Sequence, residues 1–322
     1  MTFPATHSRT AGPRNRAERR REGKKAPART RPRRIARATA ASSVAFICAF
    51  GQARMAGADS YSQLHHNIQG VLGNHKGAVE MVDGVKTGIL QSDQTGDPPF
   101  VISMNEVCKS QWTAFNNFLG TYYPNQYQKR FTVTKTANLP GGCQGEFGNA
   151  IAVRTNVIGD PWPNGAEYPG QGNESEKRKL RCLQLQIFGP AYFACNTHLK
   201  NDTVIADGQA AYMFAWINQW WAQPGTMVLG DLNLKPNQTS IMTQVYANYI
   251  EADHGCPSYG NDGTDTPTAG AGKIDYVFGS KGNAPTRFVN CGANRVYWSG
   301  FGAPSSQWVS DHKMLGSNLI WG

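Results

Sequence analysis

Met227–Asn233 reads M-V-L-G-D-L-N, and the rest of the chain is best read outward from it. An apolar run stops at Gly230 and at once presents an acid and an amide, Asp231 and Asn233. The run has the length and composition of a buried strand. Such a strand delivers Asp231 and Asn233 to one edge of a sheet, where a polar site can sit. Taken alone, the tetrapeptide Gly230–Asn233 is equally a strand-to-turn exit, because Asp and Asn both stabilise turns. The remaining strand ends have to decide between these readings.

Strand-like segments with polar ends recur along the chain. Tyr61–Gln69 runs into His65-His66-Asn67, and Phe100–Met104 leads to Asn105-Glu106. Asn149–Val153 is a further apolar strand. Leu180–Ile187 and Ala191–Asn196 form a pair about Phe188-Gly189-Pro190, the second ending in Asn196-Thr197-His198. Lys273–Phe278 opens on Asp275, and Met314–Ile320 follows Ser310-Asp311-His312. Helices are predicted over Gln111–Leu119, over Asp207–Ala222 (Met213, Trp216, Ile217 and Trp220 inward) and near Thr239–Tyr249, each from apolar spacing of three to four residues. Gly73–Gly96 is polar and glycine-rich and reads as a loop with room for one helical turn. Thr121–Gly148 is long, aromatic and glycine-rich and reads as a surface excursion, and Asp160–Gly172 and Gly255–Gly272 read as loops. Mixed strands and helices without repeats or an internal linker indicate one α/β or α+β domain.

Charge divides the chain unevenly. Its 322 residues carry a net +10, yet residues 1–58 hold 14 of the 32 Lys and Arg and 2 of the 22 Asp and Glu, a net of +12. Residues 59–322 are left with −2, which gives a nucleic-acid reading of the whole-chain charge no support. The basic stretch precedes the apolar run Ala38–Phe50 and the small-residue exit Ala56-Gly57-Ala58, the pattern of a secretory leader cleaved near Ala58. The run is shorter than the ~20 residues of a membrane-spanning helix. A basic nucleic-acid-binding arm and a type II anchor are the rival readings. Arg33-Arg34 hints at twin-arginine export, but Arg37 stands where an apolar residue is expected, so the route is open. The expected organisation is leader 1–58 and one catalytic domain, 59–322.

Outside the leader six cysteines remain: Cys108, Cys143, Cys182, Cys195, Cys256 and Cys291. An even number in an exported chain points to disulfides, with fifteen pairings open. Cys182 and Cys195 flank one turn, which favours that pair. Sequential pairing, 108–143, 182–195 and 256–291, is the expectation. The absence of any C-x-x-C spacing argues against a thiolate metal site.

In order, N-I-Q-G, N-E-V, G-N-A-I, N-T-H-L, G-D-L-N, K-I-D-Y-V-F and S-D-H resemble the endonuclease/exonuclease/phosphatase superfamily, which includes deoxyribonuclease I. The resemblance spans residues 61–320, and N-T-H-L, G-D-L-N and S-D-H are together its most specific part. His65-His66 depart from it, standing where apolar or aromatic residues are usual, and Asn105 replaces the usual Gln. The resemblance implies a four-layered α/β sandwich, two packed mixed sheets flanked by helices, with a site at one end. It further implies that Glu106, with Asn67 and Asp311, holds a divalent cation, Mg²⁺ or else Mn²⁺ or Ca²⁺. Asp231 would activate water and Asn233 would hold a phosphate oxygen. His198 and His312 would flank the phosphate, with Asp275 fixing His312 and Glu176 supporting His198.

Such a site suits phosphoester hydrolysis. Oxygen ligands bind Mg²⁺ with few carboxylates, the cation neutralises phosphoryl charge, and His–Asp pairs move protons. A carboxylate neighbour is expected to raise each imidazole's pKa. The predicted activity is that of a secreted metal-dependent phosphodiesterase, foremost a nuclease acting on nucleic acid. A sphingomyelinase- or phospholipase C-like enzyme at a membrane lipid, a small-molecule phosphatase and a non-catalytic binder are the alternatives. Lys109, Lys200 and Lys273 are candidate phosphate contacts or plain surface lysines. Tyr297–Trp308 offers rings for bases or lipid, or packs on its own sheet.

Overall fold

The alternation of inward and outward side chains along the strands builds two packed sheets with helices on their outer faces. The computed structural model describes residues 59–321 apart from 69–78, 96, 138, 140–141, 155, 187–190, 222–224, 237, 253–271, 282–286, 295–309, 311 and 313. The elements are β1 (Asp59–Asn67), α1 (Asp83–Thr95), β2 (Val101–Cys108), α2 (Lys109–Tyr122), β3 (Gln128–Lys135), β4 (Phe147–Val153), β5 (Val157–Gly159), β6 (Ala166–Glu167), β7 (Lys179–Gln186) and β8 (Ala191–His198). They continue with α3 (Thr203–Trp221), β9 (Thr226–Asp231), α4 (Ser240–Asn248), β10 (Tyr249–Glu251), β11 (Asp275–Ser280), β12 (Arg287–Asn294) and β13 (Met314–Trp321). One sheet is ordered β12-β13-β1-β2-β4-β3, the other β10-β11-β9-β8-β7-β5 with β6 on β7. The β1–β2 and β8–β9 pairs are parallel and the other pairs antiparallel, so both sheets are mixed.

Three apolar layers fill the sandwich. Val101, Ile151, Leu183, Ala194, Met227, Leu229 and Val277 meet between the sheets. Ile102 and Met104 face the other way, onto Val85, Ile89, Phe115 and Leu119 of α1 and α2. Val228 and Phe278 face Ala210, Met213 and Ile217 of α3 and Met242 and Val245 of α4. Trp216 packs at the margin in tilted contacts with Trp162 and Tyr212, while Trp220 lies outside the described side chains. The expected four-layered arrangement is therefore present.

Several element boundaries differ from the sequence reading, each for a physical reason. Gly73–Gly96 contains α1, because Met81, Val82, Val85 and Ile89 form a fully buried stripe that outweighs the polar composition. Gly88 belongs to that packing: a Cβ there would stand 2.9 Å from Met314 Cε. Thr121–Gly148 contains β3, an edge strand whose polar content suits its position. The helix expected from Asp207 starts earlier because Asp202 Oδ1 accepts from Val204 N and Ile205 N, both at 3.0 Å. The segment Arg287–Asn294 is an unforeseen strand pairing β13.

Cys182 and Cys195 are register partners across β7–β8 with Cα atoms 4.0 Å apart, and they are joined. Cys108 and Cys143 form the second expected disulfide, tying the end of β2 to the loop before β4. Cys256 lies outside the described residues, and with it the third expected pair.

Gly230 lies opposite Thr197 in the parallel β8–β9 pair, and a Cβ on it would stand 2.2 Å from Thr197 O. A backbone oxygen cannot yield as a side-chain tip can. Gly230→Ala should therefore lower stability by about 1–3 kcal/mol, measured as a shift of the urea unfolding midpoint. An unchanged midpoint would show that the two strands can part without cost.

Candidate active site

Along β1, β2, β8, β9 and β11 the inward-facing residues change from apolar to polar at the same end of the sandwich. On β1 they run Tyr61, Gln63, His65, Asn67, and on β2 Val101, Ser103, Asn105. On β8 the sequence is Ala194, Asn196, His198, and on β9 Met227, Leu229, Asp231. All of these polar groups are buried. The carboxy-terminal ends of two parallel pairs thus deliver Asn67, His198 and Asp231 to one place, where β11 begins with Asp275 and the chain enters β13 after His312.

Glu106 reaches the site by another route. Regular alternation would send it to the outer face, opposite to Asn105. The β2–β4 register slips between Met104 and Val107, and Glu106 adopts φ 57°. This bulge turns its carboxylate back toward Asn67 and His198. A positive φ in a residue other than glycine costs about 1–3 kcal/mol, and the surrounding pairing holds it.

Asn67 lies at the centre. Its Nδ2 donates to Glu106 Oε1 at 3.1 Å and to Asp231 Oδ2 at 3.0 Å, and lies 3.4 Å from His312 Nε2. Asp231 is fixed from both sides of its backbone: its N donates to Asn105 Oδ1 at 2.9 Å, and its Oδ1 accepts from Asn233 N at 2.8 Å. Asn233 makes that turn at φ 51°, a conformation asparagine tolerates, and its Nδ2 donates to Leu199 O at 3.0 Å. His312 Nδ1 meets Asp275 Oδ2 at 2.7 Å, leaving Nε2 3.8 Å from Asp231 Oδ2. His198 Nε2 lies 3.6 Å from Asp231 Oδ2 and 3.8 Å from Glu106 Oε1.

The Glu176 carboxylate pairs with Arg178 Nη1 at 3.2 Å and its charge acts on Glu106, while the carboxylates facing His198 Nε2 are Glu106 at 3.8 Å and Asp231 at 3.6 Å. Asp311 and the segment Tyr297–Trp308 lie outside the described residues. The three lysines considered as phosphate contacts are already engaged. Lys109 pairs with Glu146 at 2.7 Å, Lys200 with Glu174 at 2.6 Å, and Lys273 with Glu251 in a buried pair.

Residues beyond the sequence-derived set also build the site. Asn105 and Asn149 brace Asp231 and Glu106, Asn149 Oδ1 accepting from Glu106 N at 3.4 Å. Ser310 Oγ donates to Asn67 O at 2.7 Å and accepts from His312 N at 3.1 Å. Arg178, nearly buried, places positive charge beside Glu106 and His198. The period-two series Gln63, His65, Asn67 was a usable signal for His65. Nothing in the charged run Glu174–Lys179 distinguishes Arg178 from its neighbours.

Burial dominates the electrostatics. It raises the pKa of Glu106, with partial relief from the Asn67 hydrogen bond. Burial and then the Asp275 charge push Asp231 up to about 8. Burial would raise Asp275 too, but His312, followed by His65, more than offsets it and holds that carboxyl below its ordinary range. His198 is lowered well below the ordinary imidazole value by burial and then by Arg178 and His312, contrary to the expectation that a carboxylate neighbour would raise it. Burial likewise lowers His66 to about 3.

The donor set fits a hard divalent cation. Glu106 and Asp231 converge on one amide, and burial, the largest cause of their raised pKa values, disfavours the charged form of both, so their ionisation calls for a positive partner. Such a demand is met by a cation with oxygen ligands. Asp231, Asp275 and His312 also present ligand-type atoms within 4.8 Å of one another, but Asp275 and His312 are engaged with each other.

The family model for the endonuclease/exonuclease/phosphatase family matches residues 64–312. The chain belongs to that family. Members of this endonuclease/exonuclease/phosphatase family hydrolyse phosphoester bonds and use divalent metals. The fold is similar to the human Nocturnin catalytic domain with bound sulfate, at TM-score 0.60 and 17% identity over 83% of this chain and 97% of that one. It is also similar to an endonuclease/exonuclease/phosphatase from Beutenbergia cavernae, at TM-score 0.59 and 15% identity over 82% and 72% of the two chains. D. rerio TDP2 complexed with single-strand DNA product aligns at TM-score 0.58 and 14% identity over 81% and 99%. No curated protein matches the sequence.

The buried imidazoles give a pH prediction with a definite sign. His66 has a folded pKa of about 3 against 6.5 unfolded, so the unfolded chain binds the extra proton between these values. Its contribution to stability is complete above pH 6.5 and is lost as pH falls toward 3. Asp231 and Glu106, being raised, work in the opposite direction. The difference between wild type and His66→Phe isolates the histidine. The variant's stability, followed by urea unfolding from pH 7 to 4, should fall with acid less steeply than wild type by about 1.4 kcal/mol per pH unit. Parallel curves would show that His66 is protonated alike in both states.

Proposed function

We propose that the chain is an exported divalent-cation-dependent phosphodiesterase whose substrate is nucleic acid. The reading rests on one observation: Asn67, Glu106, His198, Asp231 and His312 meet at a single point, with His312 held by Asp275. In this reading residues 1–58 are a cleaved leader and residues 59–322 the catalytic domain. The joined pairs Cys108–Cys143 and Cys182–Cys195 are compatible with an extracellular location. Among the described residues no helix is long and apolar enough to cross a membrane. The similarity to a TDP2 structure holding a single-strand DNA product supports nucleic acid as the substrate class.

Glu106, with Asn67 and Asp311, would hold the cation. When bound, Mg²⁺, Mn²⁺ or Ca²⁺ would neutralise phosphoryl charge and stabilise the leaving oxygen. Asp231 takes a proton from the attacking water, a role suited to a carboxylate with an elevated pKa. Asp275 holds His312 by Nδ1, so that Nε2 faces the phosphoryl group. His198, which burial keeps uncharged, supplies a hydrogen bond there, and Asn233 anchors the Asp231 turn beside a phosphoryl oxygen. Glu176 acts through Arg178, whose charge lies beside Glu106 and His198.

One observation favours a second reading, a phospholipid headgroup. The first turn of α3, just beyond His198, exposes Val204 at 82% and Ile205 at 41%, and Gln238 Nε2 ties it through Thr203 Oγ1, at 3.1 Å, to the loop after Asn233. Two exposed apolar side chains in the turn that follows β8 suit a lipid surface better than a polyanion.

Plasmid DNA, RNA, sphingomyelin, nucleotides and inositol phosphates, each with Mg²⁺, Mn²⁺ or Ca²⁺ and with chelator, separate these substrates. Cation-dependent cleavage of DNA or RNA is expected. Asp231→Ala and His312→Ala should each lower turnover by about a thousandfold with unchanged circular dichroism. Glu106→Gln should raise the cation concentration needed for half-maximal rate. Near wild-type turnover in either alanine variant would remove these residues from the mechanism, and inertness on every ester would favour a non-catalytic binder.

A further inference from the structure

The catalytic pair Asp275–His312 does not stand alone in the inter-sheet layer. His65, fully buried on β1, points its Nε2 at the other carboxylate oxygen, Asp275 Oδ1, at 3.5 Å. Its Nδ1 meets Ser103 Oγ of β2 at 3.0 Å. Ser103 in turn accepts from Asn196 Nδ2 of β8. All four side chains are essentially shielded from solvent.

The hydrogen-bond inventory orders the chain. A serine hydroxyl has one hydrogen to give. The Asn196 amide fills one of the two acceptor positions on Ser103 Oγ, and among the described residues His65 Nδ1 is the one acceptor within reach of its hydroxyl hydrogen. That leaves the imidazole proton on Nε2, facing Asp275 Oδ1. Asp275 is then faced at both oxygens: His65 Nε2 stands 3.5 Å from Oδ1, an ion-pair contact longer than a well-formed hydrogen bond, and His312 Nδ1 meets Oδ2 at 2.7 Å. A carboxylate held at one oxygen can rotate about its Cβ–Cγ bond, and a cationic or N–H group facing the other oxygen restricts that rotation. The relay runs from sheet to sheet, from β8 through β2 and β1 to β11, and ends at the imidazole that faces Asp231.

We propose that His65 is a positioning residue that locks the Asp275 carboxylate, and through it the His312 ring, in the orientation the reaction needs. The inference deepens the phosphodiesterase reading and rests on it for its kinetic consequence. His65 does not touch the reacting phosphate, so its loss should act on turnover and leave KM nearly unchanged.

The test uses the purified chain and four variants: His65→Phe, which fills the space without a donor, His65→Gln, which returns an N–H near Nε2, Ser103→Ala, which removes the hydroxyl that sets the tautomer, and His312→Ala. With saturating Mg²⁺ and a cleavable phosphodiester, His65→Phe should lower kcat by about tenfold and His65→Gln should recover most of it. Ser103→Ala, a smaller change, should lower kcat in the same direction, and it carries the test if His65→Phe does not fold. Adding His65→Phe to His312→Ala should cause no further loss, since the effect passes through that ring.

A second measurement is independent of activity. Proton–nitrogen correlation spectra of ¹⁵N-histidine-labelled protein should show His65 protonated at Nε2. They should also show a slowly exchanging His312 Nδ1–H that is lost in His65→Phe and retained in His65→Gln. A His65 ring protonated at Nδ1 alone, or an unchanged His312 Nδ1–H signal in His65→Phe, would overturn the proposal. So would an additive loss in the double variant. Wild-type protein that cleaves no phosphodiester would sink the functional reading, while the spectra would still decide the placement of His65.

Discussion

The arrangement depends on keeping negative charge inside the sandwich. Asp231 and Asp275 are buried, and the Glu106 side chain is 16% exposed, all at one end of the inter-sheet layer. Each carboxylate resists such a place, because water solvates charge better than protein does. The surrounding groups are what make it tolerable: the shared Asn67 amide, the Asn233 backbone N–H, the two imidazoles at Asp275, and the nearby Arg178 charge. Even so, Asp231 and Glu106 remain raised. That residual demand for positive charge makes a divalent cation the natural complement of the site.

The cost of the site is carried by the apolar remainder of the same strands. Met227, Leu229 and Val277 belong to the layer between the sheets, and the same strands end in Asp231 and begin at Asp275. Strand pairing transmits the rigidity: Asp275 and Asp231 are register partners, and His198 is the partner of Asp231 on the other side. Close approach of β8 and β9 at Gly230 brings those two side chains together without space for a side chain between the backbones. Precision of this kind suits chemistry in which a proton must move over a hydrogen-bond distance.

The surroundings of the site say what draws a substrate in. Lys109, Lys200 and Lys273 each spend their charge on a glutamate, the last pair out of reach of solvent. Among the described residues, Arg178 places positive charge beside Glu106 and His198. Val204 and Ile205, in the first turn of α3, are exposed.

By itself the sequence determined the strand ends. Asn67, His198, Asp231, Asp275 and His312 were legible because an apolar run that stops at an acid, amide or imidazole has few reasons to do so, and their order carried the family resemblance. The Cys182–Cys195 pair was legible from its placement about one turn. The helix α1 was not, because its buried stripe sits among glycines and polar residues. Nor was the path of Glu106, since strand alternation points it outward and only the bulge against β4 turns it in. The partners of Glu176 and the lysines were equally hidden, because ion pairs join residues remote in sequence and depend on which loops meet. Tertiary structure decided those points, and it joined His65 to Asp275 by packing one sheet's inner face against the other's.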